Sequence, residues 1–224
     1  MIRFVTGTDT GVGKTIASAS LAHRARTEGR RVRYIKPVQT GVERGMPGDA
    51  DFVRAVAAVE AVELIRFDEP LAPAVASDRA GERIDFDSLT ASVLMGESSF
   101  DLVLVEGAGG LLAPLAGNRS MADLAVAIRA ELLVVTRPGL GTLNHTALTL
   151  EAAERRNLTV AGLVVSGFPA RPKVAERTNI ERLKAMAPLL AVIANIKGVS
   201  VDRAQPDPLR SALEAGSAFV DTTA

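Results

Sequence analysis

A glycine-rich segment near the start of the chain carries the strongest chemical signal in the sequence. It reads Gly7-Thr8-Asp9-Thr10-Gly11-Val12-Gly13-Lys14-Thr15 and lies between a short apolar run and an amphipathic stretch. Such glycines let backbone N–H groups converge on phosphate oxygens, and the following helix adds its positive dipole end. Lys14 would reach the β- and γ-phosphates of a nucleotide, and the Thr15 hydroxyl would bind Mg²⁺. The segment predicts a phosphate-binding loop rather than an ordinary glycine turn.

Two further charged residues stand where apolar strands are predicted to end. Glu106 follows the run 102–105, and Lys36 closes the run that begins at Val32. Carboxyl ends of parallel strands meet at one edge of a sheet, where open α/β folds bind their ligands. Glu106 would hold Mg²⁺ directly or through water, and Lys36 would stabilise charge that develops in phosphoryl transfer. The alternatives are a loop carboxylate and a surface lysine.

The elements that must position these residues alternate between short apolar strands and longer amphipathic helices. Strands with continuous apolar runs predict an α/β fold with a mostly parallel sheet and helices on both faces. Strands are predicted at 2–6, 32–36, 102–105, 132–136, 160–166 and 189–193. Helices are predicted at 15–28, 49–62, 142–156, 180–186 and 208–215, and loops at 41–48 and 69–83. No stretch has linker composition, so we expect a single domain over 1–224.

Composition restricts the classes of partner. Lys plus Arg and Asp plus Glu each number 26, so no net charge attracts nucleic acid or an anionic membrane. The absence of cysteine excludes disulfides and thiolate metal sites, and it is consistent with a reducing compartment. Neither a signal-peptide core nor an apolar run long enough to span a bilayer is visible, so we expect a cytoplasmic protein.

Four segments together resemble the dethiobiotin synthetase family. They are Gly-Thr-Asp-Thr-Gly-Val-Gly-Lys-Thr at 7–15, Lys-Pro-Val-Gln-Thr-Gly at 36–41, Val-Glu-Gly-Ala-Gly-Gly-Leu at 105–111 and Leu-Gly-Thr-Leu-Asn-His-Thr at 140–146. The five residues between Gly7 and Gly13, one more than in the common phosphate loop, are themselves a feature of this family. The resemblance implies a P-loop NTPase-type fold.

The resemblance also implies a reaction of biotin biosynthesis. Members of the family join CO₂ to 7,8-diaminononanoate (7,8-diaminopelargonate) with MgATP and release dethiobiotin, ADP and phosphate. One amine forms a carbamate, the γ-phosphate is transferred to it as a carbamic-phosphoric anhydride, and the second amine closes the ring. Positioning and charge neutralisation would supply most of the catalysis.

The resemblance assigns roles to individual residues. Lys14 and Lys36 would be catalytic, and the Mg²⁺ ligands would be Thr15, Glu106 and an acid of segment 48–51, for which we prefer Asp49 to Asp51. The residues expected to bind ATP are Thr10, Gly11, Val12, Gly13, Lys14, Thr15, Ile16 and Glu106. Those expected to bind the diamine are Thr10, Lys36, Thr40, Ala108, Gly109 and Gly110 from one subunit, with Leu140, Gly141 and Asn144 from its neighbour. A homodimer with a shared active site follows, and His145 is expected to be structural.

One position departs from the family pattern. Many relatives follow the strand equivalent to 160–165 with an asparagine that reads adenine, whereas this chain has Ser166-Gly167-Phe168-Pro169. The chain also has one tyrosine and no tryptophan to hold a base. We therefore expect a relaxed preference among nucleoside triphosphates.

Three other functions were weighed against this one. Partitioning-type and cofactor-assembly ATPases of the phosphate-loop class usually carry a second, early lysine, where this chain has Asp9. Cobyrinic-type amidotransferase synthetases need a nucleophilic cysteine, which is absent. A nucleotide-dependent binding switch would keep Lys14 and Thr15 but would have no need for Lys36.

Overall fold

A parallel sheet of seven strands runs through the part of the chain that the computed structural model describes, residues 1–201 and 204–222. The strands are β1 (Ile2–Gly7), β2 (Val32–Thr40), β3 (Glu60–Phe67), β4 (Leu102–Gly110), β7 (Glu131–Thr136), β8 (Val160–Phe168) and β9 (Leu189–Ala194), with a small hairpin of β5 (Pro114–Ala116) and β6 (Arg119–Ser120). The order across the sheet is β3-β2-β4-β1-β7-β8-β9. All pairings in it are parallel, which confirms the predicted fold class.

Helices connect the strands and cover both faces of the sheet. They are α1 (Lys14–Thr27), α2 (Asp49–Ala57), α3 (Pro73–Ala80), α4 (Phe86–Leu94), α5 (Met121–Ala127), α6 (Thr142–Glu154), α7 (Val174–Met186) and α8 (Asp207–Glu214), with a 3-10 turn at Glu97–Ser99. Within the described residues, none of these helices is long and apolar enough to cross a bilayer.

Two apolar cores lie on opposite faces of the sheet because successive strand residues point in opposite directions. Phe4 of β1 packs in one core with α3, α4 and α5 residues, while its neighbour Val5 packs in the other with α1 and α2. Ile35 and Tyr34 of β2 divide in the same way. Burial on both faces explains why these strands are continuous apolar runs.

The predicted helix from 49 to 62 is wrong in its second half. Helix α2 ends at Ala57, and Ala58 has a left-handed backbone with φ 52°. The chain then turns into β3, which pairs with β2 at the edge of the sheet. Strand β3 is only half-buried over most of its length, so its mixed apolar and charged residues do not display the pattern of a central strand.

Two other boundaries differ from the prediction because proline has a different role. Segment 69–83 was predicted to be a loop, but Pro73 is the first residue of α3, a position that suits its fixed φ. Strand β2 was predicted to stop before Pro37, but it continues to Thr40. Its pairing with β4 ends at Ile35, and on the other side the register with β3 passes over Pro37, which therefore costs little.

The strand order places the site at the carboxyl end of β1. From β1 the chain reaches β2 on one side of the sheet, and later β7 on the other, so β1 is a point where the winding direction changes. A crevice opens at such points in doubly wound sheets. The carboxyl ends of β1, β2 and β4 lie side by side there.

Candidate active site

The glycine-rich segment forms a loop that joins β1 directly to α1. Gly13 precedes the helix with φ 91°, a left-handed conformation that favours glycine, and no side chain caps the helix start. The first backbone N–H groups of α1 are therefore available to an anion. A Cβ on Gly13 would also collide with the Ser166 side chain of β8. The local structure is that of the predicted phosphate-binding loop.

Lys14 folds back over this loop. Its ammonium donates to the Asp9 carbonyl at 3.3 Å, and the residue is only 8% exposed. Burial lowers the pKa of Lys14, and the Lys36 ammonium lowers it further, against the nearby carboxylates of Glu106, Asp49 and Asp9. An anion bound in the loop would offset the cost of burying the Lys14 charge, because its negative charge would lie close to the ammonium and to the N–H groups of the loop.

Glu106 is the centre of a buried polar cluster. Its Oε1 accepts from the Thr15 hydroxyl at 2.9 Å and from Lys36 Nζ at 3.0 Å. Its Oε2 accepts from the Ser18 hydroxyl at 2.7 Å. These contacts hold the carboxylate in one orientation, because they occupy both of its oxygens.

Lys36 bridges two carboxylates. Its Nζ lies 2.5 Å from Asp49 Oδ2 and 3.0 Å from Glu106 Oε1, and its side chain is 6% exposed. Burial alone would lower the pKa of Lys36, but the charges of Glu106 and Asp49 and their hydrogen bonds outweigh it and raise the pKa. Lys36 is thus held as an ammonium ion at the carboxyl edge of β2.

The two aspartates at the start of α2 have different surroundings. Asp49 points to Lys36, whereas Asp51 Oδ2 accepts from the Gly48 N–H at 2.9 Å and its Oδ1 pairs with Arg54 at 2.6 Å. Asp51 therefore caps the helix start by accepting from the backbone N–H of the N-cap residue Gly48, and of the two only Asp49 contacts Lys36.

A cavity of about 590 Å³ collects most of the predicted residues. The loop residues from Thr10 to Ile16 line it, except Val12, which lines the neighbouring cavity. The other predicted residues in its wall are Lys36, Thr40, Asp49, Glu106, Ala108 and Gly109. Gly110 lies just outside, in the wall of an adjoining cleft.

Several residues of this site were not predicted from the sequence. Ser18 holds Glu106, and the Gln39 amide oxygen accepts from the Asp49 N–H at 3.1 Å. Residues 199–201, after β9, also line the cavity. Ser18 stands one helical turn after Thr15, a spacing that could have indicated it, while the others have no local signature.

A second cavity, of about 340 Å³, adjoins the phosphate-binding loop. Ser166 and Gly167, at the position where many relatives have an asparagine, line it, and Ser166 packs against Gly13. Asn195, which follows β9, lines the same cavity and was not predicted. The cavity therefore contains one side-chain amide, supplied by a different strand end.

Among the described residues, Leu140, Gly141 and Asn144 line neither cavity. Leu140 is 88% exposed, and Asn144 is exposed on the first turn of α6. His145 instead turns to Arg137, with its Nδ1 3.3 Å from the guanidinium. Leu140 and Asn144 are thus exposed to solvent in a single copy of the chain, whereas Gly141 is half-buried.

The donor set of the large cavity fits Mg²⁺. Thr15, Asp49 and Glu106 supply a hydroxyl and two carboxylates, and oxygen donors are what this ion prefers. The Lys36 ammonium between the two carboxylates shows that this position already accommodates a cation. Mg²⁺ is usually held by few protein ligands together with nucleotide phosphates, which this small set would allow.

Comparison with known proteins identifies the family. A family model described as "AAA domain" matches residues 3–202. The chain is 47% identical to the ATP-dependent dethiobiotin synthetase BioD of Frankia casuarinae over 91% of each chain. It is 43% identical to the protein of the same name from Mycolicibacterium vanbaalenii, over 90% of this chain and 94% of the relative.

Solved structures with a similar fold have much lower sequence identity. A ParA family ATPase from Chlorobium tepidum has a TM-score of 0.59 at 12% identity, covering 96% of this chain and 98% of its own. The MinD cell division protein of Aquifex aeolicus has a TM-score of 0.57 at 15% identity, covering 95% and 93%. These likenesses show a P-loop NTPase fold. The sequence relatives decide the family: the chain belongs to the AAA domain family and to the ATP-dependent dethiobiotin synthetases.

Proposed function

We propose that this protein forms dethiobiotin from 7,8-diaminononanoate, CO₂ and ATP in biotin biosynthesis. The observation that carries the proposal is the convergence of Lys14, Lys36, Asp49 and Glu106 on one cavity beside a phosphate-binding loop. The name of the relatives that match nearly the whole chain supports the same reaction. Lys36 is the residue that a mere nucleotide switch would not require.

The proposed chemistry needs charge neutralisation more than it needs a strong acid or base. One substrate amine adds to CO₂ and loses a proton, giving a carbamate. A carbamate oxygen attacks the γ-phosphorus and ADP leaves, so that a carbamic-phosphoric anhydride forms. The second amine then attacks the carbonyl carbon and loses a proton, phosphate leaves with the electron pair of the broken C–O bond, and the ring closes. Both attacking and transferred groups carry negative charge, which Lys14 and Lys36 would stabilise.

The buried cluster would pre-organise these two ammonium groups. Lys14 and Lys36 balance Asp49 and Glu106 in formal charge. Thr15, Asp49 and Glu106 would hold Mg²⁺, which when bound would neutralise triphosphate charge. Thr10, Thr40 and the backbone of 108–110 would contact the diamine. We place the reaction in the cytoplasm, which is consistent with a chain free of cysteine.

We further propose that the active site is shared between two copies of the chain. The support is the exposure of Leu140 and Asn144, together with an open cleft of about 430 Å³ beside Gly110. Leu112 and Leu148 in that cleft are 51% and 57% exposed. Exposed leucines around a cleft are typical of a surface that another chain covers.

A direct assay tests the reaction. The protein is incubated with diaminononanoate, ¹³C-bicarbonate and MgATP, and the product is detected by mass. We expect dethiobiotin carrying one ¹³C atom, with one ADP formed for each product molecule. A folded, nucleotide-bound protein that forms no labelled dethiobiotin would overturn the proposal.

Mixing two inactive variants tests the shared site. Lys36→Met and Asn144→Ala damage different halves, so a mixed dimer contains one site with both residues intact. Random exchange should restore about a quarter of the wild-type activity. If each copy has a complete site of its own, mixing will restore nothing.

A further inference from the structure

Asp49 reaches Lys36 only because the segment before it is held in place. Strand β2 ends at Thr40 and α2 starts at Asp49, and residues 41–48 connect them without helix or strand. We refer to residues 41–48 as the 41–48 loop. A loop of this length has many conformations, and fixing each residue costs about 1–2 kcal/mol in backbone entropy. Specific contacts must therefore set where α2 begins.

The guanidinium of Arg66 supplies such contacts. Its NH1 donates to the Glu43 carbonyl at 2.9 Å and to the Met46 carbonyl at 2.6 Å. Both acceptors belong to the 41–48 loop, and Met46 lies three residues before Asp49. Arg66 thus joins two points of the loop through one rigid, planar group.

Glu63 fixes the orientation of that guanidinium. Arg66 Nε lies 2.6 Å from Glu63 Oε1, and its NH2 lies 2.8 Å from Oε2, so the pair is bidentate. Both side chains are only 17% exposed. A bidentate, half-buried pair of this kind is more rigid than a surface ion pair.

The pair stands directly beside the strand that carries Lys36. In the register of β2 with β3, Lys36 is opposite Glu63 and Gln39 is opposite Arg66. The Gln39 Oε1 atom in turn accepts a hydrogen bond from the Asp49 N–H at 3.1 Å. Strand β3, which was not predicted from the sequence, therefore lies directly beside the strand that carries Lys36.

Gly48 shows how closely the loop rests on this pair. A Cβ added to Gly48 would lie 2.8 Å from both Arg66 NH2 and Glu63 Oε2, and 3.3 Å from Gln39 Oε1. The backbone just before Asp49 is thus in direct contact with the ion pair, and any side chain at position 48 would displace one or the other.

We propose that Arg66, oriented by Glu63, is a positioning residue that sets the Asp49 carboxylate against Lys36. The inference rests on the proposed function, because it assigns Asp49 a task in that reaction. Arg66 does not line the 590 Å³ cavity, and it acts through the backbone of the 41–48 loop. A displacement of about 1 Å in such a group is enough to lower turnover about 100-fold.

The expected effect is a fall in kcat with little change in the nucleotide KM. The phosphate-binding loop does not depend on the 41–48 loop, so nucleotide binding should persist. Arg66→Gln removes the bridge, and we expect kcat to fall about 10- to 100-fold. Arg66→Lys keeps the charge but cannot make the bidentate contact, so its kcat should lie between those of the wild type and Arg66→Gln.

Arg79→Gln is the matched control. Arg79 pairs with Glu69 at 2.7 Å, but the two side chains are 60% and 47% exposed, and in the described part of the chain Arg79 makes no hydrogen bond to the 41–48 loop. Its kcat should match that of the wild type. Glu63→Gln/Arg66→Gln is a second test variant, because it leaves no unpaired half-buried carboxylate and so preserves the fold better.

A spin label measures the loop without any turnover. The chain has no cysteine, so Met46→Cys, at a residue that is 57% exposed, creates a single labelling site. Electron paramagnetic resonance should show a more mobile label in the Arg66→Gln and Glu63→Gln/Arg66→Gln backgrounds, and an unchanged label in Arg79→Gln. Equal label mobility in the wild-type and Arg66→Gln backgrounds would overturn the inference.

A double-variant cycle shows whether Arg66 acts through Asp49. Arg66→Gln should lower kcat strongly in the wild type and hardly at all in Asp49→Asn, because the carboxylate it positions is already gone. Equal loss in both backgrounds would overturn the inference. Absence of dethiobiotin from the wild type itself would instead overturn the proposed function, and the spin-label result would still report on the contact.

Discussion

The Ser18 hydroxyl donates a hydrogen bond to Glu106 Oε2 at 2.7 Å, across 88 residues of sequence. Ser18 is fully buried on α1, and Glu106 is 1% exposed on β4. The bond ties the helix of the phosphate-binding loop to the carboxylate that also contacts Lys36. It leaves Glu106 Oε1 for Thr15 and Lys36.

Loss of this hydroxyl should weaken the whole cluster. A hydrogen bond to a charged group contributes about 1.5–3 kcal/mol, so Ser18→Ala should lower the free energy of unfolding by that amount and kcat about 10-fold. Ser20→Ala is the control, since the Ser20 hydroxyl bonds only to the Ile16 carbonyl of its own helix. Denaturant titration and steady-state kinetics measure both quantities. Equal kinetics for the two variants would contradict the role given to Ser18.

Lys36→Met should separate nucleotide binding from turnover. The change removes the ammonium that lies 2.5 Å from Asp49 and 3.0 Å from Glu106. We expect kcat to fall by about 1,000-fold, since charge stabilisation of the transferred group is lost. Binding of ADP, measured by calorimetry, should remain because Lys14 and the loop backbone are intact. Unchanged turnover would contradict the assignment.

The same substitution has a cost in stability. The buried carboxylate of Glu106 and the half-buried carboxylate of Asp49 would be left without their shared cation, and removing one partner of a buried pair costs about 3–5 kcal/mol. Lys36→Met/Glu106→Gln should recover much of this loss, although it stays inactive. Thermal unfolding of both variants measures the difference, and equal midpoints would show that the charges are not coupled.

Asp49 and Asp51 should respond differently to the same change. Asp49→Asn removes the carboxylate beside Lys36, so turnover should fall at least about 100-fold and the Mg²⁺ concentration for half-maximal rate should rise. Asp51→Asn keeps an acceptor for the Gly48 N–H, and it should cost about 1 kcal/mol of stability with turnover within about three-fold of wild type. A reversed outcome would move the metal-side role to Asp51.

The ionisation of Tyr34 tests whether the carboxylates of the site are charged and close to this buried side chain. Burial raises the pKa of Tyr34 well above its usual value, and the carboxylates of Glu106 and Asp49 raise it further. The chain has no other tyrosine and no tryptophan, so phenolate absorbance reports this residue alone. At about pH 10, where Tyr34 of the chain in urea is half ionised, the folded protein should show much less phenolate.

The sign of the stability change follows from the same shift. The unfolded chain loses the Tyr34 proton at lower pH than the folded protein, so this residue stabilises the fold fully below about pH 10. The contribution is then lost as the pH rises from there through the raised pKa of Tyr34 in the folded protein. Circular dichroism must confirm that the protein is still folded where absorbance is read, and folded-state ionisation near pH 10 would contradict the burial of this hydroxyl.

The nucleotide preference should be relaxed. Strand β8 presents Ser166 and Gly167 to the 340 Å³ cavity beside the loop, where we expect the base to bind, and Ser166 is packed against Gly13. A site without a fixed hydrogen-bond pattern discriminates poorly among bases. We expect kcat/KM values for ATP, CTP and GTP within about 10-fold of one another. Strict dependence on ATP would contradict this expectation. If the selectivity for ATP were then lost in Asn195→Ala, the Asn195 amide would be the group that recognises the base.

Local sequence determined the parts of the site that are contiguous. The loop 7–15 carries its own conformation, because its glycines and the strand and helix on either side are encoded within a few residues. Glu106 and Lys36 were found in the same way, since each follows an apolar strand and parallel strands end at one edge.

Tertiary structure decided everything that depends on single polar residues far apart in the chain. Ser18, Gln39 and Arg66 each act through a contact whose partner no spacing rule predicts. Strand β3 was not predicted because an edge strand is half-exposed and its sequence pattern is mixed. The role of Arg66, which lies on β3, was therefore not predicted either.

The choice between Asp49 and Asp51 as neighbour of Lys36 shows the same division. Both acids suit a helix N-terminus by type, so sequence alone could not separate their surroundings. Their side chains leave the helix in different directions, one toward Lys36 and the other back to the Gly48 N–H. Sequence sets which groups are present, whereas packing of distant segments sets which of them meet, because contact energies depend on distances that local patterns do not contain.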